Sequence, residues 1–144
     1  MKIRIFSDNV SFKCKIKRKI EYLLKSIAYD KNKIIENVNY VFVSEKAIIE
    51  INKKFLKHNY CTDIITFDNS EKIDTISGEM YISVETVKKN AKFYKVEFEE
   101  ELIRVIVHGF LHLCGYNDQT AADIEKMRTI EDYYIKHYYA ISSI

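Results

Sequence analysis

The chain contains no proline and only three glycines in its 144 residues. Without residues that break elements or loosen linkers, no domain boundary is marked, and no internal repeat or low-complexity stretch supplies one. A single domain over residues 1–144 is expected. No stretch approaches the length of uncharged apolar sequence that a membrane-spanning helix needs. The N-terminal segment Met1 to Asn9 alternates charged and apolar side chains and lacks the apolar core of a signal peptide. A soluble cytoplasmic protein with no membrane partner is the expectation. Cysteine is scarce as well: Cys14, Cys61 and Cys114 are odd in number and widely spaced. That excludes a disulfide framework and a paired-cysteine metal site, and predicts reduced, mostly buried thiols.

Charge of one sign is also missing. With 23 basic and 21 acidic residues, the formal net charge of +2 carries no global argument for a nucleic-acid partner. Lysines nevertheless gather at Lys13 to Lys19 (with Arg18), at Lys53, Lys54 and Lys57 beside His58, and at Lys88 to Lys95, while acid collects at Glu97 to Glu101. Such runs are ordinarily solvated helix faces and only weakly favour an anionic partner. What is abundant is apolar sequence, 47% of the chain against 31% charged, which excludes a disordered segment and allows a core to close without staples.

Apolar periodicity places strands at 2–6, 39–43, 62–67 and 79–84, and helices over about 12–29, from Ser44 to Phe55, and over 85–94, 99–113 and 121–139. Ser44 is the expected N-cap of the second helix, and the polar stretch 68–74 reads as a loop. Strands first and three helices last predict an α+β domain, a small mixed sheet of about four strands packed with helices.

The helix ending at Leu113 is apolar on nearly every side, through Leu102, Ile103, Val105, Ile106, Val107, Phe110 and Leu111. Such a helix belongs in the middle of a domain. One polar stripe runs along it, Arg104, His108 and His112, spaced by four residues so that the side chains stack on one face. Two buried imidazoles without partners are costly, and a metal ion on which both converge removes the cost. Gly115 supplies the left-handed residue that stops the helix, and the returning chain brings Asp118 as a third ligand. The pattern His108, His112, Gly115, Asp118 has the spacing of metzincin zinc hydrolases, except that Gly109 stands where their glutamate base would be and Asp118 where their third histidine would be. Arg104 is expected to pair with Glu100 or Glu101, and Cys114, rotated off the stripe, to pack in the core. With no glutamate after His108, the general base is open; Asp63 and Glu79 are the candidates.

Val107 to Asp118, V-H-G-F-L-H-L-C-G-Y-N-D, resembles the H-G-x-L-H-L-x-G-Y-D-H signature of YbeY-type endoribonucleases, bacterial rRNA maturation factors. Ile51-Asn52 with Phe55, the block Thr62 to Phe67 (T-D-I-I-T-F) and the stretch Gly78 to Ser83 (G-E-M-Y-I-S) resemble further blocks of that family in the same order. The resemblance implies a metal-dependent endoribonuclease, one zinc per chain held by His108, His112 and Asp118, acting on single-stranded rRNA at the 3′ end of the small-subunit rRNA. It also implies the small ribosomal subunit, its proteins and an assembly GTPase as partners. The sequence departs from the family pattern twice. Asp118 replaces a third histidine, and carboxylate is also a competent zinc ligand. Leu56 replaces an arginine held to meet RNA phosphate, which removes a bidentate clamp. Two rival readings remain open: a non-catalytic ribosome-assembly factor with a structural metal, and a metallopeptidase, which the missing glutamate at position 109 disfavours.

Overall fold

The computed structural model describes residues 2–57 and 62–141. Two features singled out in the sequence, Cys61 and the His58 end of the second lysine cluster, lie outside the described residues. The elements follow in the order β1 (Lys2–Ser7), α1 (Lys17–Asp30), β2 (Ile34–Val43), α2 (Glu45–Phe55), β3 (Ile64–Asp68), β4 (Thr75–Ser83), α3 (Val84–Tyr94), α4 (Phe98–Leu113) and α5 (Ala121–Ala140). The strands form one mixed sheet in the order β1-β2-β4-β3. β1 and β4 both run parallel to β2, and β3 pairs antiparallel with β4. The expected α+β class and element order are observed.

The alternation of side chains along the strands divides the core into two unequal parts. From β2, Val38, Tyr40 and Phe42 enter the larger part with Ile76, Met80 and Ile82 of β4, beneath α1, α4 and α5. Val41 and Val43 point the other way and join Ile48 of α2 and Ile65 of β3 in a smaller cluster. α4 lies within the larger part and buries ten residues. Tyr40 ties it to the sheet: its fully buried hydroxyl donates to the Ile106 carbonyl at 3.0 Å.

Several boundaries differ from the sequence reading. α1 starts at Lys17 and not near Phe12, because Phe12 lies in irregular chain packed edge-on against Phe42 at 4.7 Å between ring centroids. Phe12, Ile16 and Ile20 fit a four-residue helical spacing, yet with Cys14 the first of them fit an alternating segment equally well. β2 and β4 each begin about four or five residues early, at Ile34 and Thr75, and these extensions pair with one another. Val84 opens α3 instead of ending a strand, since the Ser83 hydroxyl accepts from the Thr86 N–H at 3.2 Å. The expected cap at Ser44 is present, accepting from the Ala47 N–H at 3.1 Å. Cys14 and Cys114 are free but half-buried, less buried than expected.

Two glycines let α4 approach the sheet. A Cβ at Gly78 would stand 2.6 Å from the Phe67 carbonyl oxygen and 2.8 Å from a Leu113 methyl, while one at Gly109 would meet only the ends of side chains, Ile64 at 2.7 Å and Met80 at 3.0 Å. Backbone cannot yield as a flexible side chain does. Gly78→Ala should therefore lose about 1–3 kcal/mol of stability, the usual range for overpacking. In Gly109→Ala the strain is offset by the roughly 1 kcal/mol gain in helix propensity, leaving stability close to wild type. Urea denaturation of both variants checks this; a Gly78→Ala protein as stable as wild type would contradict the packing described.

Candidate metal centre

The end of α4 is built by a glycine. Gly115 has φ of +103°, and its N–H donates to the His112 carbonyl while the Tyr116 N–H donates to Leu111, both at 3.0 Å. This paired closure satisfies the last carbonyls of the helix. It also turns the Tyr116 carbonyl back to accept from His112 Nδ1 at 2.9 Å. A carbonyl only accepts, so Nδ1 carries the hydrogen and Nε2 presents its lone pair. His108 is oriented similarly by a carboxylate: its Nδ1 donates to Glu131 Oε2 at 2.6 Å.

The inward atoms converge. His108 Nε2 and His112 Nε2 are 3.1 Å apart, and Asp118 Oδ2 is 3.3 Å from the first and 3.2 Å from the second. Metal–ligand bonds of about 2.0–2.1 Å give a tetrahedron with edges of about 3.3 Å. Two imidazole lone pairs and a carboxylate oxygen thus form a triangle of the size zinc requires. One proton could bridge only one of its edges. The donor set fits a divalent cation, and it is the one such group of His, Cys, Asp or Glu among the described residues.

Glu131 is the residue that the sequence reading missed. It is buried to 3% exposure on α5 and uses both oxygens, one for His108 and the other for Arg104 Nη1 at 3.1 Å. Arg104 also reaches Asp132 at 2.7 Å. It therefore pairs with α5, not with Glu100 or Glu101 as expected, because the seam between α4 and α5 puts those carboxylates opposite the guanidinium. A signal existed: Met127, Glu131, Tyr134 and Tyr138 recur at helical spacing, so an acid occupies a core position. Burial pushes the His108 imidazole down, but the hydrogen bond and charge of Glu131, with Asp118 and Asp63 nearby, outweigh it and raise its pKa.

Of the two candidate bases, the structure brings only one to the histidines. Asp63 lines both clefts that meet at His108 and Asp118, and burial raises its carboxyl pKa, with His108 opposing in part. Glu79 is not brought to the histidines. It lies on the sheet face opposite α4, in a polar hollow with Glu36 and Asn39, because strand alternation gives the α4 side to Gly78 and Met80. Cys114 does not join the converging group; burial pushes its thiol up to about 11. The larger cleft, about 760 Å³, runs between β3 and α4 and is lined by Asn52 and Leu56 at the end of α2. Lys53, Lys54 and Lys57 are exposed beside these two residues and do not line it.

A mixed sheet packed with helices, and a His-His-Asp triangle formed by the end of α4 and the chain that follows it, define an α+β domain with a candidate metal centre. Residues 2–139 match the family described as Endoribonuclease YbeY. Endoribonuclease YbeY of Flavobacterium psychrophilum is 41% identical over 134 residues, spanning 92% of this chain and 95% of that protein. The protein of the same name from Cytophaga hutchinsonii is 40% identical over 130 residues, spanning 90% and 91%. A solution structure of a Thermotoga maritima protein matches with a TM-score of 0.70 at 28% identity, covering 96% of this chain and 90% of that one. The chain belongs to the Endoribonuclease YbeY family.

The pairing of Glu131 with His108 has a direct spectroscopic consequence. In chelator-treated protein, His108 should titrate above an ordinary histidine, and Glu131→Gln should lower its pKa because the charged imidazolium loses its carboxylate. Long-range proton–nitrogen NMR spectra across a pH series measure both. An unmoved His108 titration in Glu131→Gln would refute the assignment of Glu131 as its partner.

Proposed function

We propose that this chain is a zinc-dependent endoribonuclease, a single domain over residues 1–144 that cuts single-stranded rRNA in the cytoplasm during maturation of the small-subunit 3′ end. The small ribosomal subunit, its proteins and an assembly GTPase are the partners this reading expects. The observation that carries it is the triangle of His108 Nε2, His112 Nε2 and Asp118 Oδ2, with edges of 3.1–3.3 Å, in a chain of a family named for endoribonuclease activity. Three protein ligands are the number found in open, catalytic zinc sites; structural sites use four. When bound, zinc supplies Lewis-acid chemistry, polarising a phosphoryl oxygen and acidifying water.

The chain's own groups supply the rest. Tyr116 and Glu131 hold the imidazoles in register. Asp63, with its raised proton affinity at the meeting of the two clefts, is the group to accept a proton from the attacking water. The larger cleft, open along the edge strand β3, suits an extended single strand. Among the described residues no helix is long and apolar enough to cross a membrane. The peptidase reading loses ground at Gly109, whose Cβ would abut Ile64, Met80 and Thr66; a glutamate there would face the sheet.

Purified protein should contain one zinc per chain by elemental analysis. His108→Ala and His112→Ala should abolish stable binding. Asp118→Ala should weaken it by at least the ~10–100-fold typical of losing a mere supporting group, and Asp118→His should retain it. On single-stranded RNA from the small-subunit 3′ end, wild type with zinc should cut, whereas chelated protein and His112→Ala should bind without cutting. Good binding with no cleavage by zinc-loaded wild type would favour the assembly-factor reading, to which Leu56 in the cleft lends support.

A further inference from the structure

The smaller cleft, about 250 Å³, opens on the other side of His108, between α3, α4 and α5. Its distinctive member is Glu101. This residue lies two turns before His108 on the same stripe of α4 and is only 5% exposed, yet its carboxyl makes no hydrogen bond or ion pair with any described residue. Glutamate is almost never this buried without a partner. Burial, and after it the charge of Asp63, raises its proton affinity, with Arg104 and Arg128 opposing in part. The cleft walls at Val105, Ile124 and Met127 are apolar. At its margin the Arg128 guanidinium lies 5.7 Å from the centre of the Tyr94 ring, and Tyr94 is half exposed.

We propose that this cleft is a base subsite that takes guanine, with Glu101 accepting from the N1–H and N2–H of its Watson–Crick edge and Tyr94, backed by Arg128, stacking on its face. This rests on the nuclease reading above. A slot with one apolar side, at Val105, Ile124 and Met127, and an acidic group that has no protein partner among the described residues fits a flat ligand carrying adjacent donors. Among the four bases only guanine offers two neighbouring N–H groups on that edge; adenine and cytosine set an acceptor beside their amino group, and uracil flanks one N–H with two carbonyls. A second cation is the less suitable occupant. Although Asp63, Glu101, Asp118 and Glu131 all line the cleft, their carboxylates do not draw together as the His108, His112 and Asp118 atoms do. Arg104 is already engaged by Glu131 and Asp132, and Asn90 donates to Asp63 at 3.4 Å, which leaves Glu101 as the reading group.

The test is fluorescence anisotropy of labelled single-stranded RNA pentamers bearing guanine, inosine or adenine at the central position, with full-length protein in chelator so that nothing is cut. Inosine lacks only the N2 amino group. Wild type should prefer guanine over both by about 10-fold, within the range of a bidentate contact. Glu101→Gln, with thermal denaturation confirming the fold, should erase the preference. Tyr94→Ala should weaken all three pentamers by about 10-fold, as loss of a stacking platform does, while keeping their order. Equal binding of the three by wild type, or a preference that survives Glu101→Gln, would overturn the proposal. So would a second zinc per chain that is lost in Glu101→Gln, which would assign the cleft to a cation. Zinc-loaded protein that cuts all three pentamers equally would overturn the guanine subsite and leave the nuclease standing. Guanine-selective binding without any cleavage would uphold the subsite and overturn the nuclease.

Discussion

A helix buried on nearly every side can carry polar groups only along a seam, and that constraint on α4 organises the molecule. Its apolar faces are held by the sheet, α1 and α3, and the Tyr40 hydroxyl fixes its depth by donating to the Ile106 carbonyl. The remaining seam receives Glu101, Arg104, His108 and His112, and each must be satisfied from outside the helix. α5 provides Glu131 and Asp132, the turn after Leu113 provides a carbonyl and Asp118, and the two clefts open where no protein group arrives. Packing and chemistry are therefore one arrangement: the side chains that fill the core also decide where the imidazoles stand.

Electrostatics acts through the same seam. Arg104 and His108 share one buried carboxylate, so a positive and a titratable group are coupled through Glu131. The arginine neutralises a carboxylate that would be expensive to bury alone, and Asp132 offers the guanidinium a more exposed partner. Glu101 feels the charges of Arg104 and Glu131 but makes no hydrogen bond to either, which sets the smaller cleft apart from the rest of the seam.

The class of fold and the His-His-Asp group were legible because both follow from short-range rules. Apolar spacing reports helices and strands, side chains four apart share a helix face, and a glycine after the last turn reverses the chain. The errors came where long-range pairing overrides local pattern. The first residues of β2 and β4 carry Glu36, Asn37 and Ser77 on a face that α2 does not cover, so they did not read as strand, yet they pair with one another across a register shift between Ile35 and Asn37. Glu79 was misjudged for the same reason, since a strand's two faces are told apart only once its partners are known. Arg104 was assigned to neighbours on its own helix because the approach of α5 leaves no trace in the sequence of α4. The clue lay in α5, where an acid, Glu131, occupies a position in the apolar spacing of Met127, Tyr134 and Tyr138.

The Schellman turn at Gly115 has a thermodynamic corollary. Both imidazoles are pinned by outward hydrogen bonds, to Tyr116 and to Glu131, so their ring rotations are surrendered when the chain folds and not when a ligand arrives. The entropy of ordering the site is charged to folding, and little is left to oppose binding. The geometry of the triangle therefore belongs to the fold itself, since the helix, the turn and the carboxylate hold the rings without any ion. The weak point is α5, which is remote in sequence from His108 although in contact with it. Any local opening of that helix frees the His108 ring and at the same time uncovers the core at Met127, Tyr134 and Tyr138.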